Sequence, residues 1–174
     1  MTTLYQYAGL ENSQQPGLNV ETCATRLHHL AYVEERLMFL QAAHIVSVPE
    51  RDVKVLLARL QYEDGQHADQ LKGRLPELRV SKKKAYEPPE TPLKLFFDEA
   101  MHAANTAELL ASMVNLFKPA VLAAYRRYLA ETNPLADYPT VRLLKTIIAE
   151  EQCWRRSACP PDSGLAGHVH HPAS

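Results

Sequence analysis

The sequence predicts an all-α protein, and three observations carry that reading. Four long segments repeat apolar residues every three or four positions, the period of a helix with one buried face. No segment shows the strict apolar–polar alternation of a half-buried strand. Prolines cluster between those segments, at Pro49, Pro76, Pro88, Pro89, Pro92 and Pro134, where helices stop or start.

Residues 1–20 are polar, carry Pro16 and Gly17, and read as an arm. The first helix runs from about Glu21 to Val46 and is stopped by Pro49. The second runs from Pro49 or Glu50 to Gly73 or Leu75 and is stopped by Pro76. The stretch PELRVSKKKAYEPPETP reads as non-helical because of its prolines. A third helix starts at Thr91-Pro92, a Thr cap followed by a first-turn proline, and runs to Lys118-Pro119. AVLAAYRRYLAET continues helical beyond it, as a kinked extension or a short separate helix. NPLADYP is a loop, and the last helix spans about Thr140 to Arg156. One helical domain over 21–156 is thus followed by a Pro- and Gly-rich tail, 157–174, read as flexible. The turn between the first two helices is short, which makes them antiparallel neighbours. The link between the second and third is long enough to cross the length of a bundle.

The chain of 174 residues is sufficient for one sizeable core, and 46% hydrophobic with 22% charged residues is an ordinary globular composition. A formal net charge of −1 and the absence of a strong basic patch argue against nucleic acid as a partner. Lys82–Lys84 reads as a solvated loop cluster. No apolar run is read as approaching the roughly 20 residues that cross a bilayer. The N-terminus lacks a basic start and an apolar core, so no membrane association is expected and the expected location is cytoplasmic. Cys23, Cys153 and Cys159 form no disulfide or CxxC pattern.

On a wheel of roughly 100° per residue, the first helix turns Leu27, Leu30, Ala31, Leu37, Met38 and Ile45 to one side. Glu34 falls in the middle of that face, with Glu35 near its edge. In the second helix Val53, Leu57, Leu60, Leu71 and Leu75 form the face, and Asp64 and His67 of DGQH lie within it one turn apart. In the third, the face runs Phe96, Phe97, Ala100, Ala104, Ala107 and Ala111, with Glu108 on its flank. In the fourth, Glu151 joins Leu144, Ile147 and Ile148, while Glu150 turns away. Four carboxylates converging in a core repel one another, and each costs several kcal/mol to bury alone. Protonation, a Lys or Arg partner, or a cation must compensate. A divalent metal pair bridged by carboxylates does so most economically.

Glu34, Asp64 with His67, Glu108 and Glu151, in that order over Glu21–Arg156, resemble the ligand set of the ferritin-like di-iron and di-manganese carboxylate proteins. Those are four-helix bundles with a long crossover between helices 2 and 3. Their first and third helices each give a Glu, and their second and fourth a Glu-x-x-His pair. The resemblance implies that fold here. It also implies a metal set of Glu34, Asp64, His67, Glu108 and Glu151, and iron as cofactor in one or two ions, with manganese the alternative. This chain departs twice: Asp64 stands for a Glu, and Trp154 stands where the second His is expected. The centre is therefore expected to be asymmetric or mononuclear, with Glu34, Asp64 and His67 holding metal more tightly than Glu108 and Glu151.

The residues leave the bland reading open: an Asp64–His67 hydrogen-bonded pair, and Glu108 and Glu151 paired or exposed. Tyr62, Tyr125, Tyr128 and Trp154 read as packing residues, and His168, His170 and His171 as an incidental tail cluster. The resemblance implies an oxidase or oxygenase that uses dioxygen or peroxide on a small-molecule substrate, and it points to no particular catalytic group. The competing expectation is a ferritin-like scaffold that has lost its metal chemistry. Phe39, Leu40 and Val46 extend apolar character beyond the inward face of the first helix, from which a homodimer is expected.

Overall fold

The computed structural model describes residues 14 and 16–158, the side chains of 153–158 excepted. Most of the arm, the tail with its histidines, and the Trp154, Cys153 and Cys159 side chains therefore lie outside the described residues. Among the described residues the chain is all-helical, with no strand.

Helix α1 (Val20–Ile45) begins where the Asn19 side chain accepts from the Thr22 amide at 2.8 Å, a side-chain N-cap that satisfies one orphan donor. Its buried row runs Cys23, Leu27, Leu30, Ala31, Glu34, Leu37, Leu40 and Gln41. Leu40 is 1% exposed, so it belongs to the core and not to the outward patch expected of it; Phe39 and Val46, at 45% and 84%, are exposed. The wheel misassigned Leu40 because more than one neighbour packs against α1 and widens its buried stripe beyond a single narrow face. Helix α2 (Arg51–Arg74) buries Leu57, Leu60, Asp64, His67, Ala68 and Leu71 and packs along α1.

The segment expected to be free of helix holds two short pieces. A 3-10 turn, Leu75–Leu78, ends at Arg79 in the left-handed region (φ 66°), and α3 (Lys82–Ala85) is a single turn capped by Ser81. In both, local backbone bonds close one turn without needing the run of donors that the prolines interrupt. Helix α4 (Thr91–Ala100) follows, and its Phe97 ring stacks on Phe117 with centroids 5.8 Å apart and meets Tyr32 edge-on at 6.4 Å.

The third predicted helix is not continuous. It stops at Ala100, and Asn105 caps a new one, α5 (Thr106–Ser112), by accepting from the Glu108 amide at 2.9 Å. A π segment, Met113–Phe117, then leads into α6 (Lys118–Glu131), so residues 106–131 form one helical run through Pro119. Pro119 has no N–H to give. The widened turn lies just where an ordinary α-helix would set the proline ring against the Asn115 carbonyl. This run is long and apolar enough to cross a membrane by length and composition, with a mean hydropathy of 1.3 over its best window. Dividing the chain at Pro119 had hidden that. In the fold the run buries Leu109, Met113, Phe117, Lys118, Val121, Leu122, Tyr125 and Tyr128.

The Asn133 side chain accepts from the Leu135 and Ala136 amides, both at 2.9 Å, and turns the chain into α7 (Tyr138–Ala158). Helix α7 buries Val141, Leu144, Ile147 and Glu151 and contacts α2 and α6. The core thus lies among α1, α2, α6 and α7, with Phe97 of α4 against it. Each fully buried leucine there contributes about 2 kcal/mol, which sets the scale for the charges beside them.

Candidate metal centre

Helical spacing builds the centre. Glu34 and Gln41 are seven apart on α1, Asp64 and His67 three apart on α2, and Lys118 and Tyr125 seven apart on α6, so each pair shares a face. Glu151 follows Leu144 and Ile147 by the same rule on α7. All these side chains are buried: Glu34, Gln41, Asp64 and Tyr125 at 0% exposure, His67 and Lys118 at 1%, and Glu151 at 4%. One potential ligand atom from each of Glu34, Asp64, His67 and Glu151 lies within 4.8 Å of all the others.

The Lys118 ammonium bridges two of the carboxylates, donating to Asp64 Oδ1 and, at 2.6 Å, to Glu151 Oε1. Gln41 Nε2 donates to the other Asp64 oxygen at 2.7 Å. The Tyr125 hydroxyl donates to Glu34 Oε1. The outer nitrogen of His67, Nε2, meets Glu150 Oε2 at 2.9 Å, and Glu150 itself is half-exposed. Its inner nitrogen, Nδ1, stands 3.7 Å from Glu34 Oε1 and 3.6 Å from Glu151 Oε1, beyond hydrogen-bond length of either. Among the described residues, His67 Nδ1, Glu34 Oε2 and Gln41 Oε1 are buried without a hydrogen-bond partner.

Proton affinities follow from this crowding. Burial pushes the Asp64 carboxyl up, against the pull of Lys118, to about 7. Burial likewise raises Glu151. Glu34 is buried too, yet Lys118 and His67 outweigh that and hold it below the usual carboxylate range. Burial alone would lower His67, but the Glu34, Glu150 and Glu151 carboxylates raise it to about 9. The same opposition leaves Lys118 firmly charged, its ordinary value raised by Asp64, Glu34 and Glu151. Burial drives the Tyr125 hydroxyl well above its usual range, so it stays a donor.

Four of the five residues picked out by sequence, Glu34, Asp64, His67 and Glu151, converge here, and Glu108 does not. Glu108 is exposed at the start of α5, where Glu108 Oε2 accepts from the Ala104 amide at 2.8 Å and Asn105 accepts from the Glu108 amide, a reciprocal cap. Its register was projected from Phe96 through a helix that in fact breaks, and that projection fails at the break. The inward charge from this part of the chain is Lys118. One signal could have marked it: between Glu108 and Arg126 it is the only charged residue in an apolar run. Tyr125 read as packing, and Gln41 and Glu150 carried no sequence signal beyond their helical spacing.

The buried Glu34, Asp64, His67 and Glu151 group can hold a metal ion. Its donor set of carboxylate oxygens and one imidazole suits a divalent cation. The unpartnered Glu34 Oε2 and His67 Nδ1 are the atoms such an ion would satisfy. Glu150 gives His67 the outer carboxylate that commonly orients a metal-binding imidazole. No family model, curated protein or solved structure matches the chain.

Proposed function

We propose that this chain is a ferritin-like four-helix bundle, with a long crossover between its second and third main helices, built around a buried metal centre that serves an oxidase or oxygenase. The main helices are α1, α2, the 106–131 run and α7. The crossover is the stretch from Leu75 to Asn105, which carries α4. The observation that carries the reading is the convergence of Glu34, Asp64, His67 and Glu151 with two buried atoms, Glu34 Oε2 and His67 Nδ1, left without partners among the described residues. Iron is the favoured metal and manganese the alternative.

Iron held there would supply the electron chemistry needed to use dioxygen or peroxide as oxidant. The protein's own groups prepare the place. Glu150 orients the His67 ring, Tyr125 fixes one Glu34 oxygen, and Gln41 fixes one Asp64 oxygen. Leu27, Leu37, Leu57, Leu71 and Leu144, all fully buried, keep bulk water from the centre. A cleft of about 280 Å³, apolar at Leu40, Phe96 and Phe117 and polar at Glu99, His102 and Glu108, offers a small substrate a seat. Leu40 and Phe117 are chain neighbours of Gln41 and Lys118. The exposed Phe39 and Val46 favour a homodimer through α1.

A second reading rests on Lys118. Its ammonium already compensates Asp64 and Glu151, as a scaffold without metal would require. Anaerobic loading with ferrous iron, followed by exposure to oxygen under stopped-flow absorbance, separates the two readings. The metal reading expects bound iron and oxygen consumption, both abolished by Asp64→Ala and by His67→Ala. No metal above background would leave the scaffold reading standing, and a featureless trace from iron-loaded protein would overturn the oxidase reading.

A further inference from the structure

We propose that Lys118 is a built-in cation occupying the place of a second metal ion, so that the centre accepts one divalent ion and no more. This rests on the metal reading above and extends it to stoichiometry. Lys118 is 1% exposed, and its ammonium is hydrogen-bonded to Asp64 and Glu151, the two carboxylates supplied by α2 and α7. Those two oxygens are the ones a second ion would need. The atoms left unpartnered, Glu34 Oε2 and His67 Nδ1, belong to the two side chains that Lys118 does not bond.

The charges lead to the same count. Glu34, Asp64 and Glu151 bring three negative charges when ionised, and Lys118 returns one. The remainder of two is neutralised by one divalent ion with His67 neutral. A second divalent ion would leave two positive charges uncompensated in a dry core, beside an ammonium that cannot leave without burying itself elsewhere. Reversing the charge changes the count: Lys118→Glu makes four carboxylates, the number two divalent ions balance. Removing it with Lys118→Met keeps one ion and relieves that ion of repulsion from an ammonium within the same cluster.

Manganese(II) tests this without any activity assay, by equilibrium dialysis with metal analysis and by electron paramagnetic resonance. The full chain is expected to bind one ion, with the six-line spectrum of isolated manganese. Lys118→Glu is expected to bind two, with an exchange-coupled spectrum. Lys118→Met is expected to bind one at least tenfold more tightly, which keeps the test open if Lys118→Glu does not fold. Two ions in the unaltered chain would overturn the proposal, as would a single ion in folded Lys118→Glu or an unchanged affinity in Lys118→Met. No manganese in the unaltered chain would instead overturn the metal reading on which the proposal stands.

Discussion

The protons of the centre predict that metal-free protein loses stability as pH rises from mildly acid to alkaline. His67 ordinarily titrates at 6.5 and is raised in the fold to about 9, because the Glu34, Glu150 and Glu151 carboxylates outweigh its burial. A raised basic group stabilises the fold fully below its unfolded value and ceases to do so once pH passes its folded value. The window of loss is therefore about pH 6.5 to 9. At about 1.4 kcal/mol per unit this amounts to about 3 kcal/mol. Asp64 works in the same direction. Its carboxyl, raised from 3.8 to about 7 by burial, is protonated more readily folded than unfolded, so ionisation costs stability as pH climbs through that interval. Glu34, held low, opposes this only under acid: its contribution is lost as pH falls through its folded value.

The assay is urea unfolding followed by circular dichroism from pH 5 to 9, in the presence of a chelator. With a slope of roughly 2 kcal/mol per molar urea for a domain of this size, the His67 loss of about 3 kcal/mol moves the midpoint down by about 1.5 M between about pH 6.5 and 9, and Asp64 adds to the fall below pH 7. His67→Gln removes the ring's share, so its curve should flatten between pH 7 and 9. A midpoint that stays level or rises from pH 6 to 9 would refute the reasoning, and so would an undiminished slope in His67→Gln.

Three further outcomes are expected. Glu108→Ala should lower thermal stability by about 1 kcal/mol through loss of the α5 cap and leave metal binding unchanged; loss of bound metal would return Glu108 to the centre. Leu40→Ala should cost about 3 kcal/mol in denaturant unfolding, as a fully buried leucine does, and an effect under 0.5 kcal/mol would put Leu40 back on the surface. Asp137→Ala should cost on the order of 3 kcal/mol in the same measurement. The Asp137 carboxylate is 7% exposed and accepts from Tyr128 at 2.7 Å, Thr132 at 3.3 Å and Arg74 at 3.2 Å, tying α2 and α6 to the start of α7. A loss below 1 kcal/mol would show that water replaces those bonds.

Where the helical register is unbroken, the wheel placed side chains well. Glu34 against Glu35, Glu151 against Glu150, and the pair Asp64 and His67 all lie on the sides their spacing indicated. These are interior positions of long helices, each with a leucine or isoleucine three or four residues away, where burial of the neighbours fixes the phase. Leu40 shows the limit of such a wheel: spacing gives direction but not how many neighbours surround a helix. The third helix shows another limit. Its phase depends on two backbone events, a break at Met101–Asn105 and a π segment, and neither is written in apolar periodicity. Asn105 is of a residue type that caps helices, but Ala104 and Ala107 fit an uninterrupted face just as well.

The π segment explains why Lys118 in particular faces the centre. At roughly 100° per residue, an unbroken α-helix would turn Lys118 about 140° away from the buried Met113. One extra residue in the widened turn sets the phase back by about 100° and brings Lys118 close to the Met113 face. Tyr125, seven residues on, then falls on the same side as Lys118. The buried row of this run, Leu109, Met113, Phe117, Val121 and Tyr125, advances by four residues at each step, as a helix with an inserted residue near its middle allows. A local irregularity that accommodates Pro119 thus sets a cation among three carboxylates. It converts an acidic cluster that would repel itself into one that holds together without a metal ion. On the proposed metal reading, binding and folding are then separate events, unlike a centre whose carboxylates need the ion in order to fold.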